Sequence, residues 1–137
     1  MTEKDLIYQA KTAMKMSYSP YSKCTVGAAL LCDSGKVYGG CNIENASFSP
    51  TVCAERIAFF KAISEGERKF KMIAVCGNDN GVDKPFYPCG VCRQVMSEFC
   101  DPDFIVLVAA ADDGYEKFTL SDLLPHIFSI EKGVASK

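Results

Sequence analysis

The sequence predicts one α/β domain over residues 1–137, a three-layer α/β/α sandwich around a mixed sheet of about five strands. A hairpin pattern is followed by alternating strand-length and helical segments, which is typical of a mixed sheet with helices on both faces. The length of 137 residues suits one compact domain, and no repeat or linker divides it. The 48% hydrophobic content excludes a disordered or fibrous chain.

The chain opens with a predicted helix and a predicted β-hairpin. Apolar residues recur at helical spacing over Asp5–Met16, and Thr2 with Asp5 resembles a capping box at the start of this helix. Cys24–Cys32 is an apolar run of strand length. After a turn signal, Val37–Ile43 is predicted as the returning strand of the hairpin.

The remaining elements alternate between helix and strand. They are predicted as a helix over Cys53–Glu65, a strand over Phe70–Cys76, a loop over Gly77–Pro88, a helix over Cys89–Phe99, a strand over Phe104–Ala110, an edge strand over Tyr115–Thr119 and a short helix over Leu120–Leu124. Both cysteine-bearing helices begin where a strand or loop ends. Open α/β sheets form their binding crevices at such ends.

Composition and charge exclude several classes of function. The 15 Lys and Arg residues do not exceed the 17 Asp and Glu residues, so no basic surplus exists to bind nucleic acid. The N-terminus lacks the basic start and apolar run of an export signal. The longest apolar run is far shorter than the ~20 residues of a membrane-spanning helix. We therefore expect a cytoplasmic protein that binds neither nucleic acid nor membranes.

Three of the eight cysteines have the spacing of a metal site. Cys89 and Cys92 form a C-x-x-C motif at the first turn of a helix, and Cys53 opens the earlier helix. In a reducing cytosol, clustered cysteines bind metal more often than they form disulfides. A helix N-terminus stabilises thiolates, and thiolates favour Zn²⁺. The sequence therefore predicts one Zn²⁺ held by these three cysteines.

Residues beside the cysteines add the chemistry of a catalytic site. Three protein ligands rather than four are typical of catalytic zinc, which keeps one position for water. Glu55 follows Cys53 by two residues, and its carboxylate could accept a proton from that water. Arg56 could donate a hydrogen bond to a thiolate and offset the negative charge of the site, and Arg93 is a second candidate for this role.

Other interpretations of the cysteines stay open from the residues alone. The C-x-x-C motif could be a redox pair, although the order of elements differs from that of a thioredoxin-like unit. A structural zinc site could be completed by a fourth cysteine, namely Cys24, Cys41 or Cys76. Otherwise these three, with Cys32 and Cys100, are small buried hydrophobes. The single histidine, His126, is expected at the surface or in packing.

C-A-E-R at 53–56 and P-C-G-V-C-R-Q at 88–94 resemble the small homotetrameric, three-cysteine class of cytidine deaminases. The resemblance runs from about Leu6 to Phe128. It includes S-P-Y-S-K at 19–23, V-G-A-A-L-L at 26–31, G-C-N-I-E-N-A-S at 40–47 and L-L-P-H-I-F at 123–128. It implies zinc-dependent hydrolytic deamination of cytidine and 2′-deoxycytidine in pyrimidine salvage. It also implies a homotetramer with shared active sites.

The same resemblance implies a role for each matching residue. Glu55 moves protons from water to N3 and then to the leaving amino group while C4 of cytosine is attacked. Asn42 and Glu44 match the ribose-binding pair, and the carboxylate would also repel a phosphorylated sugar. The backbone N–H of Ala54 binds the pyrimidine O2. Phe128 matches an aromatic residue that a neighbouring subunit supplies to stack on the base.

Two positions depart from the family pattern. Cys24 stands where the family commonly has Phe as an aromatic wall against the base, and Phe48 stands where an aromatic residue with a hydroxyl is common. Alternative functions are therefore a deaminase of a modified cytosine nucleoside (the blasticidin S deaminase kind), a polynucleotide-editing deaminase and a non-catalytic zinc module. The acidic balance disfavours polynucleotides, and the pair Asn42 and Glu44 favours ordinary nucleosides.

Overall fold

A computed structural model describes residues 1–130, which form four helices and one six-stranded sheet. The helices are α1 (Glu3–Met14), α2 (Ala54–Ser64), α3 (Gly90–Phe99) and α4 (Leu120–Leu123). The strands are β1 (Cys24–Cys32), β2 (Val37–Cys41), β3 (Phe70–Asp79), β4 (Val82–Asp83), β5 (Ile105–Ala109) and β6 (Tyr115–Thr119). The end of the predicted domain, 131–137, lies outside the described residues.

The sheet is mixed and has a helical layer on each face. Its strand order is β2-β1-β3-β5-β6, with β4 paired to β3. β1 pairs antiparallel with β2 and β3, β3 pairs parallel with β5, and β5 pairs antiparallel with β6. One apolar cluster lies between the sheet and α1, and another lies between the sheet and helices α2 and α3. The predicted α/β/α sandwich is confirmed.

The sixth strand comes from a segment that the sequence predicted as loop. β3 continues to Asp79 instead of ending at Cys76, and it turns through Asn80 and Gly81 into β4. Both turn residues have positive φ, 52° and 85°. Asn-Gly is a favoured two-residue hairpin turn because both residues adopt this conformation at little cost. The predicted loop over 77–88 is therefore wrong in its first half.

The local signals at helix ends are confirmed. The backbone N–H of Asp5 donates to the Thr2 hydroxyl (3.1 Å), and Thr2 donates back to the Asp5 carboxylate (2.8 Å), which completes the capping box of α1. α1 ends at Met14, two residues before the predicted end. Gly66 has a φ of 101° just past the end of α2. No helix within 1–130 has the length and apolar content that crossing a bilayer requires.

Helix α2 starts in direct contact with strand β2. A Cβ atom placed on Gly40 would lie 2.3 Å from the carbonyl oxygen of Ala54 and 2.7 Å from the nitrogen of Ala58. Only glycine permits so close an approach of strand and helix backbones. This contact sets the position of the start of α2, where Cys53 and Glu55 lie.

Candidate active site

Helices α2 and α3 bring three cysteine sulfurs together. Cys53 and Cys89 are the N-caps of these helices, and Cys92 lies in the first turn of α3. All three sulfurs lie within 4.8 Å of one another. The sulfurs of Cys53 and Cys89 are 3.7 Å apart and the cysteines are free, so they are not a disulfide. Tetrahedral zinc with Zn–S bonds of about 2.3 Å separates two sulfurs by about 3.8 Å. The cluster therefore fits zinc.

The described residues contribute no fourth cysteine to this cluster. Cys24 donates its thiol hydrogen to the Asp79 carboxylate (3.6 Å), and Cys76 contacts the sulfur of Met14 on the α1 face of the sheet. A structural site closed by a fourth cysteine is therefore not formed within 1–130. Of the five cysteines expected to be buried, Cys32, Cys76 and Cys100 are buried, whereas Cys24 and Cys41 are only half-buried. His126 is exposed.

Arg56 supplies positive charge to the sulfurs. Its Nη2 donates a hydrogen bond to Cys53 Sγ at 3.4 Å, and its Nε is buried without a hydrogen-bond partner within the part of the chain that the structure describes. Hydrogen bonds from the Cys92 thiol and from Arg56 lower the pKa of Cys53 to about 5, despite its burial. Because Cys92 donates its thiol hydrogen to Cys53, the pKa of Cys92 is raised. Such a thiolate-rich, cation-backed cluster suits a divalent metal, which displaces the remaining protons.

Arg93 has a different task from the predicted one. Its Nε donates to the carbonyl oxygen of Pro88 (2.7 Å), and its Nη1 donates to the carbonyl oxygen of Leu123 (2.7 Å). The guanidinium therefore joins the start of α3 to the end of α4 instead of bonding a thiolate. The prediction that Arg93 offsets thiolate charge is wrong in this structure, because its side chain points along the backbone of these two segments.

Glu55 lies beside the cysteine cluster in a cavity of about 240 Å³, called here the Glu55 cavity. Cys53, Ala54, Cys89 and Asn42 also line it. The side chain of Glu55 is only 4% exposed, and this burial raises its pKa to about 7. A carboxyl group of this kind can take up and release a proton near neutral pH, within a cavity that Cys53 and Cys89 also line.

Asn42 directly follows the last residue of β2 and lines the Glu55 cavity. Its Oδ1 accepts hydrogen bonds from the backbone N–H of Val26 (3.0 Å) and from the Ser17 hydroxyl, and its Nδ2 donates to the carbonyl oxygen of Cys24 (2.8 Å). Three hydrogen bonds hold a largely buried amide at the start of β1. The side chain is therefore fixed in position before any ligand binds.

Glu44 is held by the loop that precedes β1. Its carboxylate accepts hydrogen bonds from the backbone N–H groups of Tyr21 (2.9 Å) and Ser22 (3.1 Å) and from the Ser22 hydroxyl. The hydroxyl bond in particular lowers the pKa of Glu44 below its usual value of 4.5. Glu44 lines both the Glu55 cavity and a neighbouring hollow of about 370 Å³ formed with Tyr21, Ser22, Phe48 and Thr51.

Phe48 and Phe128 both expose their rings. Phe48 has a φ of 59° and packs edge-on against Tyr21, with ring centroids 6.3 Å apart. Phe128 is 71% exposed, and its carbonyl oxygen accepts a hydrogen bond from Gln94 Nε2 at 3.1 Å. Within 1–130 of a single chain, the residues that line the Glu55 cavity do not include Phe128. One chain alone therefore does not bring this predicted residue to the site.

Five residues of the Glu55 cavity had no predicted role in the site. They are Val26, Thr51, Val52, Phe86 and Tyr87. Phe86 and Tyr87 were within a predicted loop that carried no assigned role. Their position directly before P-C-G-V-C is a signal that could have found them, since residues adjoining a metal-binding turn lie close to the metal.

Comparisons with known proteins agree with this site. The family model of the cytidine and deoxycytidylate deaminase zinc-binding region matches residues 1–108. A cytidine deaminase of Sporosarcina psychrophila is 48% identical over 131 residues, which cover 96% of this chain and 94% of the relative. The crystal structure of cytidine deaminase from Burkholderia pseudomallei has a TM-score of 0.86 and 44% identity, covering 93% of this chain and 100% of that chain.

A blasticidin-S deaminase of Bacillus cereus is less similar, at 32% identity over 126 residues that cover 88% of each chain. The family model and the two cytidine deaminases cover most of the chain, including both cysteine motifs and Glu55. This chain therefore belongs to the cytidine and deoxycytidylate deaminases, a family of zinc-binding enzymes.

Proposed function

We propose that this chain catalyses the zinc-dependent hydrolytic deamination of cytidine and 2′-deoxycytidine, which yields uridine or 2′-deoxyuridine and ammonia. The observation that best supports this proposal is the cluster of three cysteine sulfurs, two of which belong to residues that line the same cavity as the buried Glu55. The names of the relatives agree with it.

Cys53, Cys89 and Cys92 are the residues that would hold one Zn²⁺ per chain. When bound, zinc lowers the pKa of a coordinated water molecule and so supplies a nucleophile near neutral pH. Arg56 offsets part of the charge of three thiolates through its hydrogen bond to Cys53. The starts of α2 and α3 act in the same direction, because their partial positive charges also face the sulfurs.

Glu55 moves the protons of the reaction. Its carboxylate accepts a proton from the attacking water and passes it to N3 of cytosine as the new C–O bond forms at C4. It then takes the second proton of the water and delivers it to the amino group. The C4–N bond breaks, ammonia leaves, and the base becomes uracil. The raised pKa of Glu55 suits a group that must both accept and donate protons.

Three further residues bind the nucleoside in this proposal. Asn42 and Glu44 bind the ribose, and their side chains are held in position by hydrogen bonds to the segments around the start of β1. The backbone N–H of Ala54 donates to O2 of the base, since the first N–H groups of α2 have no partner within the helix. The ionised Glu44 disfavours a sugar phosphate, so free nucleosides are the preferred substrates.

We further propose that the enzyme is cytoplasmic and serves pyrimidine salvage. It forms a homotetramer in which Phe128 of one subunit stacks on the base bound by another. The exposed ring of Phe128 supports this arrangement. Sedimentation velocity tests the tetramer. Co-expression of Glu55→Gln and Phe128→Ala chains tests the sharing, because hybrid tetramers would contain sites with both Glu55 and Phe128 and would regain activity. Hybrids as inactive as their parents would contradict shared sites.

Zinc analysis combined with ultraviolet monitoring of cytidine conversion tests the function. We expect about one zinc per chain in wild type and in Glu55→Gln, with turnover of the variant reduced about 10²-fold or more. Glu67→Gln is the matched control, because Glu67 bonds Ser34 outside the site. Zinc-loaded protein that converts no cytidine would contradict the proposal. Turnover of blasticidin S in its place would favour the modified-nucleoside alternative, and an unaffected Glu55→Gln variant would contradict the role of Glu55.

A further inference from the structure

We propose that Phe86 forms the apolar wall against which the pyrimidine base lies. Phe86 belongs to the segment between β4 and α3, outside the motifs that carry the zinc ligands and Glu55. The inference rests on the proposed function, because it assigns the base-binding surface of the same cavity.

The ring of Phe86 lies in the right cavity to contact a base. It lines the Glu55 cavity together with Val26, and it is half-buried, so part of its surface faces the cavity. Tyr87 also lines this cavity, but its hydroxyl donates to Glu116 and its ring packs edge-on against Phe118 with centroids 6.0 Å apart. Of these two aromatic residues, Phe86 is therefore the one whose ring a planar ligand in the cavity would contact. Bases stack favourably on the faces of aromatic rings.

Gly77 allows the Phe86 ring to pack directly against the backbone of β3. A Cβ atom on Gly77 would lie 2.5 Å from Cδ1 and 2.8 Å from Cγ of Phe86. The backbone N–H of Lys84 donates to the carbonyl oxygen of Gly77 (3.2 Å), which holds the returning segment against the strand. Gly77 pairs with Val26 in the antiparallel register, so the ring lies beside Val26 on the sheet face that carries α2 and α3.

Cys24 cannot provide this wall. It lies two residues before Val26 and therefore on the same face of β1, and it pairs with Asp79 across the sheet. Its short side chain donates to the Asp79 carboxylate, which also accepts hydrogen bonds from Lys84 and Asn80. Position 24 is where the resemblance placed an aromatic wall. Phe86, from the segment between β4 and α3, lies against Gly77 of the neighbouring strand β3 instead.

Phe86→Ala tests the proposal through substrate binding. We expect the KM for cytidine and the Kd for the product uridine to rise about tenfold or more, with a smaller change in kcat. Phe86→Leu keeps apolar volume without a flat face and should lie between wild type and Phe86→Ala. Val82→Ala is the matched control, because Val82 lies on β4 of the same hairpin, exposed and away from the cavity. Zinc content and thermal unfolding confirm that each variant is folded.

A second aromatic residue should rescue the variant. Adding Cys24→Phe to Phe86→Ala should recover part of the uridine affinity, because residue 24 lies on the same face of β1 as Val26, which lines the cavity. A double variant with no recovery would contradict a wall that the two positions can share. Calorimetry with uridine needs no turnover. Unchanged uridine affinity in Phe86→Ala would overturn the role of Phe86 without affecting the proposed function. Wild-type protein that binds uridine but converts no cytidine would contradict the proposed function.

Discussion

Nη2 of Arg56 donates a hydrogen bond to the sulfur of Cys53, 3.4 Å away and three residues earlier in the chain. Glu55 lies between these two residues in sequence and is buried at the Glu55 cavity. The first turn of α2 therefore places a thiolate, a carboxyl group and a guanidinium in one small volume. The guanidinium stabilises the negative charge on the Cys53 sulfur. Burial and, to a lesser extent, the charge on Cys53 raise the pKa of Glu55.

Replacement of Arg56 should weaken zinc binding. In Arg56→Gln the thiolates lose a charged hydrogen-bond donor, and loss of such an outer partner reduces metal affinity about 10- to 100-fold. Transfer of zinc to a coloured chelator measures the change. Arg68→Gln is the matched control, because Arg68 bonds only the backbone carbonyls of Ile63 and Glu67 among the described residues. Equal zinc retention in wild type and Arg56→Gln would contradict the role of Arg56.

Loss of one proposed ligand should reduce both zinc content and stability. Cys89→Ala should retain much less zinc and unfold at a lower temperature, because metal binding to the folded state stabilises that state. Wild-type protein stripped by a chelator should show a similar loss of Tm. Cys41→Ala changes a half-buried cysteine outside the cluster and should keep its zinc. A Cys89→Ala protein with full zinc content would remove Cys89 from the ligand set.

Gly40→Ala should disturb the start of α2. The added methyl group would overlap the carbonyl oxygen of Ala54, and backbone atoms cannot rotate away as a side chain can. Overpacking of this kind costs about 1–3 kcal/mol of unfolding free energy, and activity should fall with it because Glu55 is displaced. Urea denaturation measures the change. In Gly39→Ala, on the same strand, the added methyl group would lie 3.2 Å from the Ala13 methyl group and 3.9 Å from the carbonyl oxygen of Ala28, so the loss of stability should be smaller. Equal stabilities of the two variants would contradict this packing argument.

Glu44→Gln should weaken the preference for cytidine over cytidine 5′-monophosphate. Like charges about 4 Å apart repel by about 1 kcal/mol or more, so the ratio of kcat/KM values should fall about fivefold or more. Because the pKa of Glu44 is held below 4.5, its carboxylate stays ionised and the wild-type ratio should be constant from pH 7 to 9. An unchanged ratio in the variant would contradict this role.

The same carboxylate makes a pH-dependent contribution to folding. A lowered pKa in the folded state means that ionised Glu44 stabilises the protein above its unfolded pKa of about 4.5. This stabilisation is lost as the pH falls through the lowered folded value. Wild type should therefore have a higher free energy of unfolding than Glu44→Gln at pH 6, and this difference should shrink as the pH is lowered to 3. Urea denaturation at each pH measures the free energy of unfolding of both proteins.

Local features of this protein could be predicted from its sequence. The capping box of Thr2 and Asp5, the stop at Gly66 and the strand Cys24–Cys32 follow from contacts between near neighbours, and all three are confirmed. The cysteine motifs also indicated a metal site, because their spacing places thiolates at helix starts. The hairpin at Asn80 and Gly81 had a local signal as well, and its prediction as loop missed a favoured turn.

Only the tertiary structure decided which of these groups meet. Two guanidiniums follow the cysteine motifs, and the path of each side chain places Arg56 on a sulfur and Arg93 on two carbonyl oxygens. Phe86 reaches the Glu55 cavity because Gly77 of β3 has no side chain at the point where the ring contacts the strand. Such contacts join segments far apart in the chain, so they depend on strand register and helix packing, which the periodicity of a single segment does not contain.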